Sequence, residues 1–240
     1  MSGSREEAKK IFLRDIEELT KTNDPTKDKA FTRWICQEFI PGLEDEKDID
    51  EAISIGSSGD GGIDIFFHRE DVDRTEQYLC WVQAKFSETL DREISNTDLE
   101  YFAGTVDRLE NSESLANANY MFKEAGKKFR DLRRGGGITM KMIFVVAGKL
   151  NGQAQKNYED EVWKNMKIDP DIKLEVIDID NILDQIVTKE TQDMTIEFDE
   201  EHTCPVITRT DVVSKKQSIV GYIKAKEIVK CLKKDKNIFL

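Results

Sequence analysis

Three segments of this sequence are apolar on both faces of an extended strand, and they restrict the possible folds more than any other feature. They are Ile63-Asp64-Ile65-Phe66-Phe67, Tyr78-Leu79-Cys80-Trp81-Val82-Gln83-Ala84-Lys85-Phe86 and Met140 to Ala147. Side chains of a strand alternate between the two sides of its sheet, so a strand that is apolar on both sides needs covering layers above and below. Helical patterns supply those layers. Residues 5–20 place Ala8, Ile11, Phe12, Ile16 and Leu19 at helical spacing until Asn23-Asp24-Pro25-Thr26 breaks the run. From Lys27, the residues Ala30, Phe31, Trp34, Ile35, Glu38 and Phe39 share one broad helical face that stops at Pro41-Gly42. An acidic loop over 44–51 is predicted to lead into a short strand over 52–55. Further helices are predicted over 97–109, capped by Asn96 or Thr97, and over 115–132, 152–166 and 181–187, with a strand over 172–177. The order gives a mixed α/β domain.

The pattern changes near Thr191 to short strand-like pieces, Met194 to Phe198 and Val206 to Val213, and then a lysine-rich helix, Tyr222 to Lys234. Residues 1–190 are therefore expected to form one domain, with its core at about 27–180, and 191–240 to begin a second, incomplete module or linker. The apolar end Ile238-Phe239-Leu240 suggests packing on a partner chain, as in a homo-oligomer, or continuation into a longer protein. Apolar stretches such as Ile143 to Ala147 are far too short to span a bilayer, and Met1 to Glu6 has no apolar leader core, so no membrane partner is expected. Cys36 and Cys80 sit inside apolar runs and read as buried thiols of a reducing, cytoplasmic compartment. His202 and Cys204 find no second pair to complete a zinc site.

Charge limits the partners. Against 36 basic residues stand 48 acidic ones, a net charge of -12, so the whole molecule repels polyanions unless basic groups cluster locally. One such cluster is Lys123, Lys127, Lys128, Arg130, Arg133 and Arg134, opposed only by Glu124 and Asp131. It reads either as a solvated helix face or as an arm that contacts phosphates. A second basic segment runs from Lys215 to Lys236. Neither interleaves the aromatics of a single-strand stacking platform.

The glycine cluster Gly56-Ser57-Ser58-Gly59-Asp60-Gly61-Gly62 opens into a strand rather than a helix and lacks a Gly-Lys-Ser/Thr ending, which excludes a phosphate loop. Asp60 reads as a turn former. Asp64 is unusual, because it lies in an apolar strand opposite a hairpin partner that carries Gln83 and Lys85 on one face. A carboxylate, an amide and an ammonium thus converge at one end of the hairpin. Left unpaired they would cost several kcal/mol, so they either satisfy each other as a structural Asp–Lys pair or share a charged ligand.

Gly59-Asp60-Gly61-Gly62-Ile63-Asp64 followed by Val82-Gln83-Ala84-Lys85 resembles the active-site signature of PD-(D/E)xK nucleases in the Gln-x-Lys form of Mrr-like restriction enzymes. Ile49 to Ile53, the helix after Lys85, the strand Met142 to Ala147 and Gly221 to Lys226 resemble the nuclease portion and following linker of abortive infection phage resistance (AIPR) proteins. The resemblance implies a restriction-endonuclease-like mixed β-sheet flanked by helices, here with an additional N-terminal helix and a C-terminal extension. It implies Mg²⁺-dependent hydrolysis of phosphodiester bonds, with Mn²⁺ as a possible substitute, on nucleic acid, expected to be DNA, in anti-phage defence. Asp64, Gln83 and the Ala84 carbonyl would hold the metal, and Lys85 would serve the attacking water and the developing charge. A further acid is expected from the first core helix. Glu38 is the candidate and Asp28 the substitute, the latter also suited to helix capping; the resembling sequences place an acid near Thr32, where this chain has none. The alternative is a catalytically silent nuclease-fold module for nucleic-acid binding or oligomerisation.

Overall fold

A computed structural model of the chain describes residues 2–40, 42–43, 45–56, 59–70, 77–191, 209–210 and 217–218. Two compact units divide it, Met1–Ile186 and Val187–Leu240. In the second, one antiparallel ladder is described, pairing Arg209–Thr210 with Gln217–Ser218. The expected strand-like pieces, the lysine-rich helix and the apolar end otherwise lie outside the described residues.

The first unit is mixed α/β. Its sheet has the order β1-β2-β4-β6, built from β1 (Ile65–Glu70), β2 (Gln77–Lys85), β4 (Ile138–Val146) and β6 (Ile172–Ile177). β1 and β2 are antiparallel, with Ile65 opposite Val82, while β2, β4 and β6 run parallel. A second, two-stranded parallel sheet joins β3 (Arg92–Ile94) to β5 (Gly148–Leu150). Helices cover both faces of the main sheet, the layering that the two-sided apolar strands require.

On one face lie α1 (Ser2–Thr22) and α2 (Lys27–Phe39). Ala8, Phe12 and Ile16 recur every fourth residue of α1 and are fully buried. Phe12 meets Phe31 and Trp34 edge-on at ring separations of 5.9 and 5.0 Å. Thr26 caps α2 by accepting the Lys29 N–H, so Asp28 is not the cap. The remaining helices are α3 (Glu46–Ile53), α4 (Asn96–Ala103), α5 (Thr105–Glu110), α6 (Tyr120–Gly135), α7 (Gly152–Glu159), α8 (Glu161–Lys167) and α9 (Ile179–Thr191). Under α4 to α6 the buried Trp81 donates to Thr105 Oγ1 at 2.9 Å and meets Phe129 edge-on at 5.6 Å.

Several sequence expectations fail here: the helix expected over 152–166 is two, with Asp160 capping α8, and the one expected over 115–132 starts only at Tyr120. Residues 45–53 are not an acidic loop running into a strand: Asp45 caps α3, whose Ile49 and Ala52 point inward while its acids face solvent. Its ionic environment explains the helix, because the buried Arg33 guanidinium reaches Glu46 at 3.0 Å and Asp50 at 2.5 Å as well as the buried Asp24 at 2.8 Å. The expected helix over 97–109 is two helices divided at Gly104 and capped by Ser95, whose hydroxyl accepts the Asp98 N–H in a capping box. No described helix is long and apolar enough to cross a membrane.

Candidate active site

The glycine turn is built so that side chains are excluded from it. Gly62 has φ +84°, and a Cβ there would stand 2.6 Å from Tyr101 Cε1 and 3.2 Å from Gln83 Nε2. Any other residue would be strained there and would push the Tyr101 ring aside while crowding the Gln83 amide. Asp60 Oδ1 accepts the Gly62 N–H at 2.8 Å, the expected turn-forming bond. From outside, the Asn119 N–H donates to the Gly59 carbonyl at 3.0 Å and Arg108 Nε to the Gly61 carbonyl at 2.8 Å. The turn is thereby fixed to α5 and to the start of α6.

Asp64 leaves this turn one residue before β1 rather than inside the strand. Its N–H donates to the Val82 carbonyl at 2.8 Å, and its Oδ2 accepts the Ala84 N–H at 2.8 Å. The carboxylate thus takes the place of a main-chain carbonyl in the ladder, which aims it along the end of β2. Ala84 is tied to the site through this N–H.

Gln83 and Lys85 share the β2 face that carries Trp81. Gln83 is only 4% exposed, and its Oε1 has no hydrogen-bond partner. Its neighbour on β4 is Phe144, which packs on Phe102 at a ring separation of 5.3 Å, so an apolar wall stands beside an unpaired amide oxygen. An unsatisfied buried acceptor of this kind costs about 1–3 kcal/mol, and a cation or a metal-bound water at this position would remove the deficit.

Electrostatics define the rest of the site. Burial pushes the Asp64 carboxyl up to about 6; the Ala84 N–H and Lys85 oppose this, while the negative charges of Asp60 and Asp28 add to it. Burial also raises Asp60, against the Gly62 N–H and the Lys85 charge. The charges of two acids, Asp60 and Asp28, therefore bear on Asp64 near a lysine, an arrangement that favours an added cation.

The acid of the first core helix that acts on Asp64 is Asp28, not Glu38. The first turn of α2 lies at the Lys85 end of β2, where Lys27 Nζ pairs with Glu88 at 2.7 Å and Phe31 packs on Phe86 at 5.5 Å. Glu38 is ten residues further on, roughly 15 Å along the axis, with its carbonyl accepting from Gln185 Nε2. The apolar-face pattern pointed to this helix but could not say which end meets the sheet. Tyr101 and Arg108 were also missed, because their link to the turn is made only by the fold. The Arg108 guanidinium lies 4.1 Å from the centre of the Tyr101 ring, and its Nη2 donates to the Tyr101 carbonyl at 2.5 Å.

The basic cluster divides on α6. Arg130 Nη1 donates to the Leu109 and Glu110 carbonyls and to Ser112 Oγ, and Arg133 pairs with Glu110 and Asp169. These two arginines fasten α6 to its neighbours, which fits neither the solvated helix face nor the phosphate-contacting arm read from the sequence. Lys127, Lys128 and Arg134 are exposed on the same helix.

Among the described residues no three His, Cys, Asp or Glu side chains form a metal cage by themselves. The donor set around Asp64 still fits a hard cation that keeps several waters, because the unpaired Gln83 oxygen adds an uncharged ligand beside one carboxylate. No family model, curated protein or solved structure matches the chain.

Proposed function

We propose that this chain is a metal-dependent nuclease that hydrolyses phosphodiester bonds, with DNA as its substrate. The observation that carries the reading is the unpaired Gln83 Oε1, buried at the strand end where Asp64, Asp60 and Lys85 interact. Asp64 and Gln83 would hold Mg²⁺, or Mn²⁺ in its place, and a bound divalent ion would supply positive charge to the scissile phosphate and a more acidic water. Asp64 is held by the Ala84 N–H, so its free oxygen keeps a fixed direction. Lys85 places a positive charge where negative charge grows on the phosphate oxygens. Asp60 and Asp28 stand back from Asp64 and raise the local demand for a cation. The buried thiols Cys36 and Cys80 support a reducing, cytoplasmic setting. The role in phage defence comes from the resemblance alone.

The sparse acid set favours one second reading, a catalytically silent module that kept the fold. Calorimetric titration with Mg²⁺ and Mn²⁺ separates the two. The parent should bind, Asp64→Ala should not, and Gln83→Glu should bind at least about tenfold more tightly because it restores a carboxylate beside the ion. A parent that binds no divalent ion would support the silent module.

A further inference from the structure

We propose that Tyr101 is a stacking platform for an unpaired nucleobase next to the cleaved phosphate, so that the substrate is a single strand or a locally opened one. This rests on the nuclease reading and adds the class of substrate to it. Tyr101 is 51% exposed, yet it is held in place. One face of its ring lies against the Arg108 guanidinium, which is itself fixed by hydrogen bonds to the Gly61 and Tyr101 carbonyls. The ring edge abuts Gly62, and the same missing Cβ borders the Gln83 amide. An aromatic surface open to solvent therefore stands one glycine away from the groups that would meet the phosphate. Core packing would bury such a ring; holding it half in water suits a ligand with an exposed π-face. A nucleobase has one, and a neighbouring cation strengthens the contact by drawing charge from the tyrosine. A base paired inside a duplex hides both faces in its own stack, so the platform selects an unstacked base.

The test measures binding by fluorescence anisotropy, in Mg²⁺, with Lys85→Ala in every full-length protein to prevent cutting. The probes are a short DNA single strand, the same strand made abasic, and the duplex. Tyr101→Ala should weaken the intact strand by roughly five- to a hundredfold, the scale of one base–aromatic stack. Tyr101→Phe should restore binding, and the abasic strand should bind equally well to the Tyr101→Ala protein and to its Tyr101 counterpart. Should Tyr101→Ala melt early, Tyr101→Leu removes the stack while keeping the volume. Equal affinity for the intact strand with and without the ring, an equal loss on the abasic strand, or tighter binding of the duplex would overturn the platform while leaving the nuclease reading in place. If the protein bound no strand and the Lys85 parent cut none, both would fall.

Discussion

Asp64 carries its charge against opposition from burial and two nearby acids, with one main-chain N–H and one lysine in its favour. A carboxyl whose folded pKa is about 6, against an ordinary value near 4, binds its proton more tightly in the folded state. Its contribution to stability is fully present below about pH 4 and is lost as the pH rises through about 6. Asp64→Asn keeps an acceptor for the Ala84 N–H and removes the titration. Urea unfolding from pH 4 to 7.5 should give a flatter profile for the variant, with a gain on the order of 2–3 kcal/mol at neutral pH in metal-free buffer. A parallel profile in the two proteins would mean that the Asp64 charge is already compensated. Under the proposed function this cost is the counterpart of metal binding, because a carboxylate that destabilises the protein without a cation gains most from one.

At the scale of elements, β2 was legible from sequence as a run apolar on both faces, and β6 as a six-residue strand of mostly branched apolar residues. The pairing of β3 with β5 was not, since three-residue strands carry no period and meet across more than fifty residues of chain. α3 was hidden by its charge: six acids over 44–51 look like a loop until Arg33 is placed behind them. The convergence of Asp64, Gln83 and Lys85 followed from strand parity. Tyr101, Arg108 and the choice of Asp28 over Glu38 depend on how helices seat on the sheet, which local pattern does not encode. α6 shows the same limit, since a run of six cations gave no sign that Arg130 and Arg133 are held by partners on neighbouring elements. Alanine at Lys127, Lys128 and Arg134 should lower the log–log salt slope of DNA binding by roughly one unit for each lost phosphate contact, with melting unchanged. Arg130→Ala should instead lower the melting temperature and leave the slope alone. A slope that ignores all three exposed cations would make the α6 surface ordinary helix solvation.

For the whole molecule, a net charge of -12 means that long-range attraction does not bring nucleic acid to this chain. On the proposed reading recognition is local, through the exposed cations of α6, the Tyr101–Arg108 pair and a divalent ion at the Asp64 site. The most direct test of that account is cleavage of plasmid, linear duplex and single-stranded DNA across a panel of divalent metals, by the parent and by Asp64→Ala and Lys85→Ala proteins shown to be folded. The parent should cut with Mg²⁺ or Mn²⁺ and best on the single strand, and each variant should be at least about a hundredfold slower. Folded variants that cut as fast as the parent, or a parent that cuts nothing with any metal, would contradict it.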